Sequence, residues 1–192
     1  MAIDQNWVLF KQGNNIAFEK IYKEHINELY DYGKRFSLDT NVVEDCIQNL
    51  FIDIWNNRKN LGDVENVKAY LFISLKRRIV RFNKKSLSVV SIDESIYFKS
   101  ELSIETILVD TEMNSEKIKK LHNAYQKLSK KQQHILYLKF FQGFNNKEIA
   151  EILEINYQSA RNALNRALSK LKTYFTIWMV LANINFLLKF PQ

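Results

Sequence analysis

The chain has 192 residues, and 46% of them are hydrophobic, so it can bury one large core or two small ones and is not a disordered polymer. Its net charge of +7 suits a polyanionic partner. Four glycines and one proline favour long helices with few tight turns, and the single Cys46 excludes a disulfide framework and fits a reducing cytoplasm. The composition therefore predicts a mainly helical protein.

The first predicted helix covers residues 15–36. Large side chains recur along it every three or four positions, which is the spacing of one buried stripe: Phe18, Tyr22, His25, Leu29, Tyr32 and Phe36. His25 is interpreted as a partly buried member of this stripe, because the other two histidines do not lie at metal-ligand spacing from it. The helix is therefore predicted to build the core of a first domain.

The second predicted helix covers residues 41–57 and has two different faces. The side chains predicted to face the core are Val43, Ile47, Leu50, Phe51 and Ile54. The opposite face carries Asp45, Gln48 and Asn49 beside the apolar Ile52. An exposed isoleucine among polar groups is either a single apolar surface residue, which is common, or the centre of a protein interface. The pattern leaves both alternatives open.

The third predicted helix covers residues 67–84 in a basic part of the chain, since residues 67–86 hold seven basic and no acidic side chains. The side chains predicted to point inward are Leu71, Leu75, Ile79 and Phe82. The outward row is Tyr70, Ile73, Arg77, Val80, Arg81 and Lys84. Aromatic and aliphatic side chains interleaved with cations are typical of a surface that binds single-stranded nucleic acid. The alternative is a solvated basic helix with a hydrophobic flank.

Residues 87–114 differ in composition from both flanks. The segment is rich in serine, and residues 87–116 hold seven acidic side chains against one basic. It shows no helical period over its length, and it is predicted to be a linker with at most one short helical turn. It joins a first domain, residues 1–86, to a second domain, residues 115–173. An acidic connector between two basic blocks indicates two nucleic-acid contacts joined by a segment that avoids nucleic acid.

The second domain is predicted to begin with a helix over residues 115–128. Ser129 can cap the next helix, with Gln132 three residues further on as its partner. Gly143 stands where a left-handed residue would end that helix.

The chain over residues 144–172 predicts a helix-turn-helix. Asn145 and Glu148 form the capping pair of a short helix, and a three-residue turn follows at residues 154–156. Its last member, Asn156, can cap a second and longer helix.

That second helix is amphipathic. Its predicted buried stripe is Ala160, Ala163, Leu164, Ala167, Leu168 and Leu171. Its polar face carries Gln158, Arg161, Asn162, Asn165, Arg166 and Ser169. Amides and guanidinium groups are the side chains that read base edges and phosphates in the major groove. The alternative is an ordinary helical hairpin whose polar face meets water.

Residues 174–192 form a strongly apolar tail. The run is shorter than the ~20 residues of a membrane span and carries Asn183 and Asn185 near its middle. A helix docked on a partner or on the second domain is favoured over membrane attachment, because it can leave the amides in water.

The chain resembles the extracytoplasmic-function group of bacterial sigma factors, the small two-domain members of the sigma-70 family. The resemblance covers residues 16–174. In the first domain it is carried by AFEKIYKEHINELYDYGKRF, by VVEDCIQNLFIDIW and by VKAYLFISLKRRIVRF, which is similar to the promoter-melting segment of the family. In the second domain it is carried by LSKKQQHILYLKFFQGFNNKEIAEIL and the helix that follows, which are similar to region four. Both sets in this order and at this separation are specific to the family.

The resemblance implies a sigma factor that binds core RNA polymerase, recognises the −35 and −10 elements of promoter DNA and assists DNA melting. The residues that it implies bind the β′ clamp of the polymerase are Asp45, Gln48 and Phe51, and the exposed Ile52 is predicted to belong to the same contact. Those that would hold the opened −10 element are Tyr70, Ile73, Arg77, Arg81 and Lys84. Those that would read the −35 duplex are Gln158, Ser159, Arg161, Asn162, Asn165 and Arg166. An anti-sigma factor is a further expected partner, and the cytoplasm is the expected location.

Some positions depart from the family pattern. Members often have Asn where Arg77 stands and an acidic or amide residue where Arg81 stands. They usually have a glycine where Glu154 stands and commonly a cation where Ala163 stands. The promoter sequence therefore cannot be taken over from relatives.

The prediction is an all-α protein with two small helical domains joined by an acidic linker, the second carrying the helix-turn-helix. It has no Gly-rich phosphate loop, no Cys/His metal spacing and no nucleophile with a matched base, so neither a cofactor, a metal nor enzymatic activity is predicted. One alternative is a stand-alone helix-turn-helix regulator that binds duplex DNA. The exposed face of the second helix and the single-strand-like surface of the third helix argue against it. The other is a membrane-associated adaptor, which rests on the tail alone.

Overall fold

The computed structural model describes the backbone of residues 4–86, Phe98 and residues 112–189, and the side chains of residues 4–85, Phe98 and residues 119–175. Every regular element in this part of the chain is helical, as the sequence predicts. The chain divides into two compact units, residues 1–99 and 100–192, and the division falls inside the predicted linker. Among the residues just named, no helix combines the length and the apolar character needed to cross a membrane.

The first unit is a small helical bundle. Its helices are α1 (Gln5–Lys11), α2 (Asn15–Gly33), α3 (Thr40–Asn56) and α4 (Val67–Ser86), with a 3₁₀ turn at Arg58–Asn60. Each pair among α2, α3 and α4 is in contact, and α1 packs on α2. Asp4, Asn14 and Asp39 cap α1, α2 and α3, because each side-chain oxygen accepts a backbone N–H of the first turn.

Helix α1 is absent from the predicted elements. Seven residues are too few to show a helical period, and a helix this short depends on tertiary packing for its stability. Trp7 and Phe10 supply that packing, since both are fully buried. The ring of Trp7 contacts Tyr70, and the ring of Phe10 contacts Phe18 and Trp55.

Helix α2 differs from its prediction at its end and on one face. It ends at Gly33, and Phe36 is buried in the turn that follows. Tyr22, predicted to lie in the buried stripe, is 40% exposed, and Ile21 is buried instead. A Cβ on Gly33 would lie 2.5 Å from Cγ1 of Val43, so a glycine is what lets α2 and α3 approach this closely.

Phe98 belongs to the predicted linker but is fully buried in the first unit. Its ring meets the ring of Phe36 edge-on, with 5.7 Å between centroids, and the guanidinium of Arg35 lies 5.8 Å from its centroid. The predicted linker is therefore anchored on the first unit at this residue. Its other residues up to 111 lie outside the described part of the chain.

The second unit is built around one long helix. Its elements are α5 (Glu112–Gln126), α6 (Lys130–Leu136), a π-helical turn (Tyr137–Phe141), α7 (Asn146–Leu153) and α8 (Tyr157–Lys189). Helix α8 packs against α5, α6 and α7. Ser129 and Gln132 form the predicted capping box, and Gly143 has the predicted left-handed conformation, with φ of +74°.

Two bounds in the second unit differ from the prediction. Helix α5 begins at Glu112, three residues before its predicted start. Helix α8 continues without a break to Lys189, so the backbone of the predicted tail is part of this helix up to that residue. The tail side chains beyond residue 175, on which the docking prediction depends, lie outside the description.

Candidate nucleic-acid and polymerase interfaces

The helix-turn-helix is fixed locally by side chains that satisfy helix ends. Asn145 Oδ1 accepts the N–H of Glu148 at 3.0 Å, and Glu148 Oε2 accepts the N–H of Asn145 at 2.8 Å, which completes the predicted capping box. Glu154 ends α7 with φ of +56° and ψ of +41°, the left-handed conformation that glycine favours. Asn156 Oδ1 then accepts the N–H of Ser159 at 2.7 Å and caps α8. The predicted turn is therefore present residue by residue.

The polar face of α8 is open to solvent. Its exposed members are Gln158, Arg161, Asn162, Asn165, Arg166 and Ser169, whereas Ser159 is half-buried. Behind this face Ala160, Leu164 and Ala167 are buried, as predicted. Leu168 was predicted in the same stripe and is exposed, because it lies about 100° around the helix from Ala167. The amide of Gln158 donates to Asn162 Oδ1 at 3.3 Å, which orders two amides on the exposed side.

The outward row of α4 is less exposed than that of α8. Arg77 and Arg81 are exposed, whereas Tyr70, Ile73 and Lys84 are half-buried. The Arg78 guanidinium contacts Asp53 Oδ2 at 2.5 Å and ties α4 to α3. The candidate single-strand surface is thus a helix face set into the bundle.

Two orientations predicted for α4 are wrong. Val80, predicted to face outward, is 2% exposed, and Phe82, predicted to face the core, is 47% exposed. Helix α4 packs against both α2 and α3, so its buried face is wider than a single stripe. Near its end, Asn83 donates to the carbonyl of Phe36 at 2.9 Å, so Asn83 rather than Phe82 faces the turn that follows α2. Phe82 therefore adds an exposed ring to the basic end of α4.

Tyr70 is held from one side by α1. The Trp7 and Tyr70 rings meet edge-on, with centroids 5.2 Å apart and planes 64° apart. The indole N–H of Trp7 donates to the carbonyl of Gly62 at 3.1 Å, in the loop that precedes α4. The sequence shows no sign of these contacts, since 63 positions separate the two rings.

The outward face of α3 is exposed where the sequence predicts it. Asp45 and Gln48 are exposed, and Ile52 is 48% exposed. Phe51, predicted both for the core and for the polymerase contact, is only 4% exposed, so it does not share the open surface with Asp45. Any contact that a partner makes with Phe51 has to use the groove beside it.

That groove lies between α2 and α3 and has a volume of 710 Å³. Phe18, Tyr22, Gln48, Phe51 and Ile52 are among the residues that line it. The Tyr22 and Phe51 rings meet edge-on at 4.8 Å between centroids. Tyr22 is the candidate contact residue that sequence reasoning missed, since its spacing placed it in the core. A tyrosine at the margin of an apolar stripe was the available signal, because its hydroxyl favours a place near water.

The described side chains include no group of three or more His, Cys, Asp or Glu residues that could hold a metal ion. Cys46 is buried, and this burial raises the pKa of its thiol despite the nearby Arg78. A raised pKa disfavours the reactive thiolate at neutral pH.

Two family models match the chain. Sigma-70 region 2 matches residues 21–86, and Sigma-70 region 4 matches residues 118–171. The first match contains α3, α4 and about two thirds of α2, and the second contains α6, α7, the turn at residues 154–156 and the first half of α8. The chain belongs to the sigma-70 family. Region 2 followed by region 4 in a chain of this length is the arrangement of the extracytoplasmic-function group, so the resemblance seen in the sequence is confirmed.

Curated relatives agree with this assignment. RNA polymerase sigma factor SigZ of Bacillus subtilis is 24% identical over 134 residues, which cover 70% of this chain and 73% of SigZ. An uncharacterized protein of Clostridium acetobutylicum is 26% identical over 167 residues, which cover 77% of this chain and 85% of that protein. The chain is thus an RNA polymerase sigma factor and acts in promoter-specific transcription initiation.

Solved structures show the same fold. CnrH, solved in complex with the cytosolic domain of CnrY, is 16% identical, with a TM-score of 0.56 over 90% of this chain and 96% of that one. The sigma factor RpoE from Bartonella quintana, solved in complex with the anti-sigma factor NepR, is 16% identical, with a TM-score of 0.53 over 83% of this chain and 97% of that one.

Proposed function

We propose that this sigma factor selects its promoters through two separate contacts, one with duplex DNA and one with an opened strand. The observation that carries the proposal is that each matched region contains a cationic helix face of a different kind. The face of α8 is exposed and rich in amides, whereas the face of α4 is half-buried and includes aromatic and aliphatic side chains. Amides and guanidinium groups suit base edges in duplex, and rings suit unstacked bases.

Helix α8 is the proposed contact with duplex DNA, at the −35 element. Arg161, Asn162 and Asn165 extend from its exposed side, and a recognition helix reads base edges with the residues of its first turns. The buried Ala160 and Leu164 behind them fix the helix on its own unit. Arg166 adds a cation for a base edge or a phosphate.

Helix α4 is the proposed binding surface for the opened strand of the −10 element. The Tyr70 ring offers a stacking platform, and Arg77 and Arg81 lie about two and three helical turns further along α4, which suits phosphates of the same strand. Ile73 and Lys84 extend the same row. Salt should weaken this contact strongly, since phosphate neutralisation dominates it.

Helix α3 is the proposed binding site for the β′ clamp of core polymerase. Asp45, Gln48 and Ile52 present two polar groups around an apolar centre, and the groove beside them admits a partner side chain against Phe51 and Tyr22. An apolar centre with a polar rim is the usual anatomy of a protein interface.

An anti-sigma factor is a further proposed partner. Support comes from the two solved neighbours, of which RpoE is bound to the anti-sigma factor NepR and CnrH to the cytosolic domain of CnrY. A cytoplasmic location is part of the same proposal, because the protein has to meet core polymerase and promoter DNA there.

Run-off transcription with purified core enzyme tests the proposal. The template is a promoter found by mapping the 5′ ends of transcripts induced by overexpression of the protein. A product that requires both this protein and core enzyme is the expected result. Binding to the same duplex without core enzyme, together with no transcript, would instead identify a stand-alone helix-turn-helix regulator.

A further inference from the structure

Helix α1 lies outside the region 2 match, which begins at residue 21, and no residue of α1 is among those predicted to contact polymerase or DNA. Its two large rings are nevertheless fully buried. The two rings pack on each other, with 5.2 Å between centroids, and their other contacts differ. Phe10 packs on Phe18 and Trp55 in the bundle, whereas Trp7 reaches Tyr70 and the carbonyl of Gly62.

A second contact runs from α1 to the same loop. Lys11 Nζ lies 2.6 Å from Asp63 Oδ1, so consecutive loop residues, Gly62 and Asp63, are each held by one side chain of α1. The loop leads directly into α4, where Asn66 Oδ1 accepts the N–H of Ala69. Tyr70 follows in the first turn. Helix α1 therefore holds the start of α4 in two ways, through the loop at Gly62 and Asp63 and through the ring of Tyr70.

We propose that α1 positions Tyr70 for the opened strand, and that Trp7 is the positioning residue. A ring that stacks on an unpaired base has to be held against rotation, because a rotamer lost on binding weakens the contact. Trp7 supplies this constraint in two ways. Its ring meets the Tyr70 ring edge-on and limits its rotation, and its indole N–H donates to the Gly62 carbonyl. This inference rests on the proposed contact between Tyr70 and the opened strand.

Trp7→Phe is the variant that separates positioning from folding. It keeps an aromatic side chain in the core but shortens the edge that meets Tyr70 and leaves the Gly62 carbonyl without its indole donor. Phe10→Leu is the matched control, since it also reduces a fully buried aromatic side chain of α1. The Phe10 ring packs on Trp7, with 5.2 Å between centroids, but Phe10→Leu leaves in place both the Trp7–Tyr70 contact and the indole hydrogen bond to Gly62. Lys11→Ala is a second variant that loosens the loop alone, because the Lys11–Asp63 pair is partly exposed and adds little stability.

The experiment uses full-length protein, core enzyme and the mapped promoter fragment. Gel shift at low temperature measures the closed complex, and permanganate reactivity of unpaired thymines measures the open one. Trp7→Phe should leave the closed complex unchanged and reduce permanganate reactivity by about three- to tenfold, a fraction of one stacking contact. Lys11→Ala should also reduce permanganate reactivity. Phe10→Leu should stay closer to the wild-type level than Trp7→Phe, because it keeps the indole donor and the contact with Tyr70.

The double variant decides whether Trp7 acts through Tyr70. If it does, Trp7→Phe combined with Tyr70→Ala should open the promoter as poorly as Tyr70→Ala alone, within roughly twofold, since coupled residues are not additive. Multiplied losses in the double variant, or equal losses for Trp7→Phe and Phe10→Leu, overturn the inference while the proposed function stands. No transcript from the wild-type protein and core enzyme overturns the proposed function, and the inference falls with it.

Discussion

The candidate nucleic-acid faces of the two units differ in how far packing sets their side chains. On α8, the polar residues from Gln158 to Arg166 project from a narrow stripe of small buried side chains, Ala160 and Ala167 among them. On α4, Tyr70 is half-buried against Trp7 in a bundle braced by aromatic contacts. The first face reaches outward, and the second is set into its unit.

The difference follows from what each face has to bind. Duplex DNA offers base edges at the floor of a groove, so a reading side chain has to project and must not be covered. An unpaired base offers a flat ring, so its platform has to be rigid and partly sheltered from water. Loss of the packing around Tyr70 should therefore impair DNA opening, whereas the face of α8 should depend on single exposed side chains.

The largest effect is expected for Gly33→Ala. The added Cβ would lie 2.5 Å from Cγ1 of Val43 and 3.3 Å from Cδ1 of Ile79, so α2 has to move away from α3 and α4. Overpacking of this kind costs about 1–3 kcal/mol of unfolding free energy. Amide hydrogen exchange should show lower protection in α2, α3 and α4 and unchanged protection in α7 and α8.

Gly62→Ala is the control for this substitution, because a Cβ there meets no atom within 4 Å. It should leave amide protection in both units as in the wild type. Equal protection for the two variants would mean that α2 and α3 can separate at no cost, and would contradict the tight packing assigned to the first unit.

Arg161→Ala tests the face of α8. The side chain is exposed, so its removal should leave unfolding unchanged but cost about 1–3 kcal/mol of promoter affinity and relax preference at one base pair. Lys172→Ala removes the same charge from an exposed position of α8 beyond the predicted reading face. A loss that is the same on specific and random duplexes would assign Arg161 to a phosphate.

Asp45→Ala tests whether the α3 face is separable from the core of its unit. Asp45 is exposed, so the thermal midpoint should change little, as for most surface substitutions. Binding to core enzyme, measured by fluorescence anisotropy, should weaken by at least about fivefold, as for a residue that contributes about 1 kcal/mol to an interface. Asp31→Ala, which removes an equal charge from α2, is the control. Unchanged binding with a lowered midpoint would make Asp45 a structural residue.

The sequence predicts those parts of this structure that depend on local chemistry. The capping boxes at Ser129 and Asn145 and the left-handed Gly143 follow from residues at most three positions apart, and all are present. The missed features depend on distant contacts. Helix α1 forms because Trp7 packs across the chain on Tyr70, and Phe98 is buried because Arg35 and Phe36 surround it. No local pattern encodes these partners.

The site residues divide in the same way. The face of α8 could be predicted because its buried stripe is narrow and follows one helical period. The orientations of Val80 and Phe82 could not be predicted, because α4 packs on both α2 and α3. Hydrophobic spacing alone does not say which apolar residues of α4 each of these two helices covers.

Glu154→Gly should stabilise the second unit. Glu154 has φ of +56°, and a left-handed conformation costs a residue with a Cβ about 1 kcal/mol more than glycine. The thermal midpoint should therefore rise, whereas promoter affinity stays the same, because the residue lies in the turn before α8. Glu154→Ala is the control, since it removes the carboxylate but keeps the Cβ. An equal rise in both variants would trace the effect to charge instead of backbone conformation.

The smallest effect is a dependence on pH that should be confined to the first unit. His25 is buried, and desolvation lowers its pKa although Glu24 and Glu28 oppose the shift. Nδ1 of His25 makes no hydrogen bond, and Glu28, 3.9 Å away, is engaged by Lys68 at 2.8 Å.

Because the folded pKa lies below that of the unfolded chain, the unfolded state binds the proton more readily. The free energy of unfolding should therefore be constant well above pH ~6.5 and fall as the pH drops through and below that value. His25→Gln should flatten the slope between pH 7 and pH 5, as measured by urea unfolding at a series of pH values, because glutamine does not titrate. A slope that persists unchanged in His25→Gln would assign the dependence to other groups.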